Sequence, residues 1–415
     1  MKTDMGMKIH WGWVVLASSF ITLFVNYSIR IGAYSILLPE MIKDLHLNLT
    51  QAGMIRSAYF FAYILFSPLM GWLTDRIGGR WVVSFFCLFL GIGTFLMGKA
   101  SSLFTAMIFH GIVGIGAAAM WTPIVTLIQK WFGVTRRGVA LGILSPSYAL
   151  GYGLMGILLP LIVNAYSWRM GWILLGISGL ALVGINASLL KSDPKEAGYP
   201  PWGETPEPMK RIEPSSSYRY RDIYRERCFW LIGLSYFLIS AGTYTITDLI
   251  VTYGVLELKI AYPIASAFIT ILAFTGIAGG MILMFLSDFI GRKKSLIIIH
   301  SSVGLSILGI LLAGSRIIPL QIGIGTFGFF YSPIWPMYGA CARDYFPKEV
   351  AGTVVGLMTI FYGTGAMLGP ILAGRMVDLT GTFQYPFLFG AFTSLIAVLL
   401  LGFLREPTEL GKRGD

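Results

Sequence analysis

GWLTDRIGGR, at residues 71–80, and LSDFIGRKK, at residues 286–294, are two versions of one short motif in opposite halves of the chain. Each version places an aspartate, a glycine and an arginine in the same order. The equivalent pairs are Asp75 with Asp288, Gly78 with Gly291, and Arg80 with Arg292. Glycine permits backbone turns that residues with a Cβ resist, and aspartate can cap a helix start or pair with an arginine. The motif therefore predicts a tight, charged turn that occurs twice.

The correspondence between the halves extends beyond the motif. Five further residues of the first half have identical counterparts 214 positions later. They are Trp121, Phe132, Gly138, Gly142 and Gly151, matched by Trp335, Phe346, Gly352, Gly356 and Gly365. A duplicated membrane bundle with a basic loop in each copy is typical of secondary transporters, whose substrate site lies between the halves.

The composition is that of a protein whose main solvent is lipid. Hydrophobic residues make up 55% of the chain and charged residues 12%, and the mean hydropathy is +0.73. A water-soluble core cannot use that much apolar surface. The three cysteines are far apart and form no CxxC pair, so neither a metal site nor a disulfide framework is predicted, and no cofactor is expected.

Twelve apolar stretches are long enough to cross about 30 Å of hydrocarbon as helices. They lie at 12–37, 51–72, 81–99, 103–129, 139–164, 170–190, 229–254, 262–286, 295–314, 317–341, 351–374 and 386–404. The first stretch also resembles a secretory signal, but it lacks a clean small-residue cleavage site, so we interpret it as an uncleaved span.

A polar, proline-rich linker separates the sixth span from the seventh. It divides the chain into an N-terminal six-helix bundle at 1–190, the linker at 191–227 and a C-terminal six-helix bundle at 228–415. The predicted fold is therefore an all-α integral membrane protein with twelve transmembrane helices in two pseudo-symmetric bundles.

The basic residues predict the orientation of the bundle. Most of the 31 Lys and Arg fall in the tails, the linker and the loops of one side. Because Lys and Arg accumulate on the cytoplasmic side, both termini are predicted to be cytoplasmic, in a multi-pass protein of the cytoplasmic membrane. The net charge of +11 is then explained by a basic face beside lipid headgroups, and no nucleic-acid partner is expected.

The repeated motif closely resembles the signature loop of the major facilitator superfamily. The resemblance covers essentially the whole chain, including WFGVTRRGVALGI after the fourth span and YSWRMGW before the sixth. It implies two bundles that rock about a central site, gating roles for the motif residues, and function as a monomer. The second motif departs from the family pattern at Met284 and Phe289, so a smaller effect is expected there. The alternative is a plain turn whose charges set topology.

Arg30 is the first candidate site residue, because a charge within a span is costly and marks function by default. It lies in VNYSIRIGAYSILLP, with Asn26 one turn before it and Tyr27 on an adjacent face. A guanidinium offers a planar fork of donors for carboxylate or phosphate. We expect Arg30 to bind an organic anion; the alternative is snorkelling to the outer interface. Resemblance to the organic-anion branches supports the first interpretation, and the lack of a second cation in the C-terminal bundle favours a monoanion.

Two titratable residues are candidates for proton coupling. Asp248 lies in SAGTYTITDLIVTYG of span 7, in which seven of fifteen residues are Ser, Thr or Tyr. It either pairs with Arg30 across the cavity or is solvated near an outer vestibule. His110 of span 4 titrates near neutral pH, as proton coupling requires, or else it donates one structural hydrogen bond in a close-packed helix contact. His300 is interpreted as structural.

Aromatic side chains are expected to complete the cavity. Trp121 and Trp335 occupy matching positions, each beside a proline that bends its helix. The further candidates for substrate contacts are Tyr244, Tyr331 and Tyr362. The alternative for any Tyr or Trp is a place in an interfacial belt.

No nucleotide-binding or hydrolase motif occurs, so neither an ATP-driven pump nor an enzyme is predicted. The preferred interpretation is a secondary transporter of a small organic anion. Similarity of YFPKEVAGTVVGLM and ILAGRMVDLTGTFQYPF to the monocarboxylate and oxalate–formate branch favours a monocarboxylate, moved with or without a coupled proton or other ion. The alternatives are a proton-driven exporter of lipophilic compounds and a transporter-like receptor that signals through the linker.

Overall fold

The structure, a computed structural model, describes residues 10–203 and 220–405. Within these residues twelve helical spans are long and apolar enough to cross a membrane, as predicted. We number them 1 to 12 in chain order. Their bounds are Trp11–Asp44, Leu49–Ile77, Gly79–Met97, Leu103–Trp131, Arg137–Ala165, Trp168–Leu189, Arg227–Leu256, Tyr262–Ile290, Arg292–Ala313, Ile317–Tyr345, Val350–Thr380 and Gln384–Gly402.

The two ends of the bundle are named here by their loops. The linker face carries the start of span 1, the end of span 6 and the start of span 7, and the opposite face carries the short loop 45–48. Several spans are longer than predicted because their polar ends continue the helix beyond the apolar stretch. Span 1, predicted to end at 37, runs to Asp44 with Pro39 inside it, and span 2 runs to Ile77.

Both copies of the repeated motif form tight turns, as predicted. Gly78 ends span 2 with φ +83°, and Gly291 ends span 8 with φ +87°. Side chains with a Cβ rarely adopt this left-handed region, so glycine is required at both positions. The next helix begins at the following residue in each case, at Gly79 and at Arg292.

The first part of the linker folds back onto the linker face of the N-terminal half. Trp202 packs edge-on against Trp13, with ring centroids 5.0 Å apart, and against Phe132 at 5.8 Å. Its backbone N–H donates to the Trp131 carbonyl (2.8 Å), and its carbonyl accepts from the Gly133 N–H (3.0 Å). Linker residues 204–219 lie outside the described residues.

The two halves meet mainly where span 2 packs against span 11 and span 5 against span 8, with span 1 touching span 7. Hydrogen bonds join the halves close to the opposite face. The Asp378 carboxylate accepts from the backbone N–H groups of Leu49 (3.0 Å) and Thr50 (2.8 Å) and so caps the start of span 2 from the other half. Tyr262 donates to the Ile36 carbonyl (3.0 Å).

The halves separate toward the linker face. On span 11 a Cβ at Gly363 would lie 2.4 Å from Ile64 of span 2. A Cβ at Gly356, two turns nearer the linker face on the same side of the helix, would have no described atom of another element within 4 Å. Span 5 shows the same difference: a Cβ at Gly153 would lie 2.6 Å from Ala273, and a Cβ at Gly142 would have no described atom of another element within 4 Å. The interface is therefore closed at the opposite face and open toward the linker face.

Candidate functional site

A local change of helix type places Arg30 at the interface between the halves. Span 1 is α-helical to Tyr27, takes a π-helical turn over Ser28–Ala33 and resumes as an α-helix. Single π-turns inside α-helices occur frequently at functional sites. Arg30 lies within this turn, 14 residues before the end of the span at Asp44, near the middle of the bundle.

The Arg30 guanidinium points at two tyrosines of the other half. Its Nη2 donates to Tyr362 Oη at 3.0 Å and to Tyr244 Oη at 3.4 Å, and the two hydroxyls are themselves 2.5 Å apart. Arg30 is 5% exposed, so it does not snorkel to an interface. The structure therefore brings together three of the predicted substrate contacts, Arg30, Tyr244 and Tyr362.

Aromatic faces surround the same guanidinium. Its central carbon lies 4.9 Å from the ring centroid of Tyr63, 5.5 Å from Tyr27, 5.8 Å from Phe60 and 6.0 Å from Tyr59. Cation–π contacts of this kind offset part of the cost of burying a cation, at about 0.5–2 kcal/mol each. Arg30 takes part in none of the ion pairs formed by residues 10–203 and 220–405, and its Nε has no hydrogen-bond partner there. This cation is buried without a carboxylate.

Asp248 pairs with Arg56 and not with Arg30. Arg56 Nε lies 2.9 Å from Asp248 Oδ2, and the two side chains are 0% and 1% exposed. The alternative of a solvated Asp248 in an outer vestibule is therefore also wrong. Asp248 is one helical turn nearer the opposite face than Tyr244. Arg56 of span 2 lies at the same depth in the bundle as Asp248 and is therefore its partner.

Arg56 also connects Asp248 to Arg30, because it contacts the backbone of Arg30. Its Nη1 donates to the carbonyl oxygen of Arg30 at 2.7 Å. Its guanidinium lies over the rings of Tyr59 and Phe60, at 5.2 and 5.0 Å, which are also the neighbours of Arg30. The buried site therefore contains two arginines and one carboxylate, with a formal charge of +1 when Asp248 is ionised.

His110 is fully buried beside this cluster. Its Nδ1 lies 3.1 Å from the Ile55 carbonyl, which can only accept, so Nδ1 carries a proton. The ring stacks on Tyr34 with centroids 5.0 Å apart. This geometry matches the structural alternative for His110, which is a hydrogen bond in a close-packed helix contact. The hydrogen bond holds the backbone next to Arg56.

Several predicted substrate contacts form no hydrogen bond with Arg30 in the described part of the chain. Trp121 and Trp335 touch each other edge to face between the halves, with centroids 4.8 Å apart. Each lies about 15 Å from the linker end of its span, so the cleft is closed at that depth. Tyr331 is half-buried and stacks on Phe327 at 5.6 Å. Asn26 is buried, and its Oδ1 has no hydrogen-bond partner among the described groups.

The two motif loops differ in their ionic contacts. Asp75 is exposed and forms no ion pair or hydrogen bond with any part of the chain that the structure describes, so neither the predicted cap nor the arginine pair is present. Arg80 donates instead to the Ala187 carbonyl, from Nε at 2.9 Å. In the second loop Arg292 pairs with Asp288 (2.5 Å) and with Asp344 (3.1 Å).

Sequence reasoning missed one face of span 2. Arg56, Tyr59, Phe60 and Tyr63 all surround the site, and their i, i+3, i+4, i+7 spacing places them on one helical face. An arginine at the head of an aromatic helical stripe was the available signal. This signal is weak in the sequence, because Arg56 lies close to the end of the span.

The family model described as Major Facilitator Superfamily matches residues 16–362 and 317–415. The chain is 26% identical to the hexuronate transporter of Bacillus subtilis over 402 residues, covering 93% of this chain and 92% of that protein. It is 25% identical to a probable galactarate/D-glucarate transporter of the same organism, covering 98% and 94% of the two chains. A probable sulfoacetate transporter of Cupriavidus necator is 24% identical, with 92% and 91% covered.

Solved structures show the same fold. A crystal structure of the nucleoside transporter NupG matches with a TM-score of 0.75 at 12% identity, covering 94% of this chain and 99% of that one. A bacterial homologue of the human lysosomal transporter Spinster matches with a TM-score of 0.69 at 15% identity, covering 95% of each chain. The chain belongs to the major facilitator superfamily. It is a multi-pass membrane transporter and not an enzyme.

Proposed function

We propose that this protein is a secondary active transporter of a small organic anion, specifically a monocarboxylate, which Arg30 binds. The observation that carries the proposal is a buried guanidinium with two hydroxyl neighbours and no carboxylate among the described residues. An uncompensated charge in a span costs about 2.5–3.5 kcal/mol or more. A substrate carboxylate at Arg30 would offset that cost.

The names of the relatives support an anionic substrate. Hexuronate has one carboxylate, galactarate and glucarate have two, and sulfoacetate has a carboxylate and a sulfonate. A site charge of +1 suits one carboxylate. The surroundings of Arg30 also suit a hydroxylated substrate. Of the two paired hydroxyls, on Tyr244 and Tyr362, one keeps a proton that it can donate to such a substrate.

The alternative of a lipophilic exporter depended on a lipid-facing Arg30, and the burial of Arg30 among protein groups counts against it. We further propose rocker-switch alternating access in the cytoplasmic membrane, with both termini cytoplasmic. The cleft that opens toward the linker face would then be the cytoplasmic entrance. The basic linker and tails support this orientation.

Proton coupling is part of the proposal. Asp248 is a buried carboxylate in the ion-pair network that touches the Arg30 backbone, and His110 supports the same network. A residue that binds a proton on one side of the membrane and releases it on the other drives symport.

Counterflow in proteoliposomes tests the function. Vesicles preloaded with D-glucuronate should accumulate labelled D-glucuronate by exchange, which needs no net movement of protons. Asp75→Asn should slow counterflow without changing the dissociation constant, because Asp75 lies at the linker face, far from Arg30; Asp288→Asn should slow it less. Binding without counterflow would favour the receptor alternative, and neither binding nor counterflow with any monocarboxylate would refute the proposal.

A further inference from the structure

The Arg56–Asp248 pair is joined at one point only. Arg56 Nε meets Asp248 Oδ2, while Arg56 Nη2 and Asp248 Oδ1 are both buried without a hydrogen-bond partner in the described part of the chain. Buried polar atoms left unsatisfied cost about 1–3 kcal/mol each, and more when they are charged. Arginine–carboxylate pairs are frequently bidentate, and most buried polar side-chain atoms have a hydrogen-bond partner. This pair is incomplete on both sides.

From this geometry, and on the basis of the proposed function, we propose that Arg56 is a second anion-binding residue that Asp248 occupies in the substrate-free protein. When Asp248 takes up a proton, Arg56 becomes available to the second acidic group of a dianion. The protein then binds a monoanion with Asp248 ionised and a dianion with Asp248 protonated.

The two arginines are placed to share one ligand. Both guanidiniums contact the rings of Tyr59 and Phe60, and Arg56 also lies 5.6 Å from the ring of Tyr244, whose hydroxyl accepts from Arg30. Each arginine has a free buried donor, Nε of Arg30 and Nη2 of Arg56. These donors suit two acidic groups on one small molecule.

The charges of the cluster explain why a proton accompanies the second acidic group. With Asp248 ionised, the two arginines and the carboxylate sum to +1, which one carboxylate neutralises. With Asp248 protonated, the site carries +2, which a dianion neutralises. Because net charge inside a membrane protein is costly, a neutral loaded site is the form best able to change conformation.

Asp248 is the group to which the proposal assigns the proton. The groups that face it are Arg56 from span 2, Arg30 and Tyr34 from span 1, Tyr244 from its own span and Tyr331 from span 10, with His110 beside Arg56 and Tyr34. Arginines stay charged, and unperturbed phenols titrate near pH 10. Only His110 competes as a proton site, so His110→Asn, which keeps a donor for the Ile55 carbonyl, is a required control.

A matched pair of probes tests the proposal with the purified full-length protein. D-Glucuronate and D-glucarate share a six-carbon skeleton and differ by one carboxylate, and both are fully ionised from about pH 5.5 to about pH 7.5. Calorimetric titrations in buffers of different ionisation enthalpy report affinity and proton uptake together. We expect glucarate affinity to fall by up to about tenfold per pH unit, with one proton taken up per glucarate. Glucuronate should bind without proton uptake.

Two variants separate the roles of the charges. Arg56→Gln with Asp248→Asn keeps the site at +1, because Arg30 remains, and it leaves neither partner of the pair charged. The double variant should bind glucuronate within about threefold of wild type, and its affinity for glucarate should fall about 100-fold at pH 5.5. Asp248→Asn alone mimics the protonated carboxyl, so it should bind glucarate tightly at every pH. His110→Asn should leave the pH dependence of glucarate binding unchanged.

The outcomes are distinguishable. If glucuronate binds through Arg30 but glucarate binds with no proton uptake, or if the double variant binds glucarate like wild type, the proposal about Arg56 is overturned and the proposed function stands. Loss of the pH dependence in His110→Asn would assign the proton to His110 and also overturn it. If wild type binds neither acid at any pH, the hexose-acid form of the proposed function fails, and this inference fails with it.

Discussion

Two arginines are buried at the interface between the halves, and their surroundings differ in one respect. Arg30 and Arg56 both lie among aromatic rings and both reach toward span 7, but only Arg56 has a carboxylate partner. Arg30 has two tyrosine hydroxyls in place of a countercharge. Since the residue type is the same and both side chains are buried, the countercharge separates an arginine that is paired in the substrate-free protein from one that is available to a ligand.

The comparison predicts different costs of removal. Arg56→Gln alone leaves Asp248 buried and unpaired, so the free energy of unfolding should fall by about 3–5 kcal/mol. Arg30→Gln removes an uncompensated charge and leaves no unpaired carboxylate, so stability should be unchanged or higher. Thermal unfolding in one detergent, followed by tryptophan fluorescence, compares both variants with wild type.

The double variant Arg56→Gln with Asp248→Asn is the matched control, and it should recover most of the lost stability. Equal destabilisation by Arg30→Gln and Arg56→Gln would show that the two arginines are structurally equivalent and that the countercharge does not distinguish them.

A smaller effect should follow from removing one hydroxyl beside Arg30. Tyr362→Phe deletes an acceptor for Arg30 and a partner of the Tyr244 hydroxyl, so glucuronate affinity should fall by about tenfold, or about 1.4 kcal/mol. Tyr63→Phe is the control, because Tyr63 meets Arg30 through its ring face and the change preserves that contact. Isothermal titration measures both. An equal loss in the two variants would argue against a role for the hydroxyl.

The sequence predicted the fold, and it singled out some of the residues that the structure brings together between the halves. Twelve apolar stretches and two glycine turns are local signals, and the 214-residue offset that pairs Arg30 with Tyr244 appears in the structure as a hydrogen bond. The partner of Asp248 was not predictable in the same way, because it depends on the depth at which spans 2 and 7 face each other. The π-helical turn at Ser28–Ala33 also has no reliable local signal.

The smallest effect is expected at His110, which supports Arg56 and does not touch Arg30. His110→Ala should lower stability by about 1 kcal/mol through loss of one hydrogen bond to the Ile55 carbonyl. Glucuronate affinity should change less than threefold. If His110 couples protons, His110→Ala should abolish the accumulation of D-glucarate that a pH gradient drives, while counterflow persists. If Asp248 alone couples them, only Asp248→Asn should have that phenotype.

The most direct test of the central claim compares glucuronate binding by variants of the two arginines. Arg30→Gln should raise the dissociation constant at least 100-fold, and Arg30→Lys, which loses the planar fork, should also lose most binding. Arg56→Gln with Asp248→Asn should remain within about threefold of wild type. Undiminished binding by folded Arg30→Gln, or an equal loss in the double variant, would contradict the claim that the unpaired arginine is the anion site.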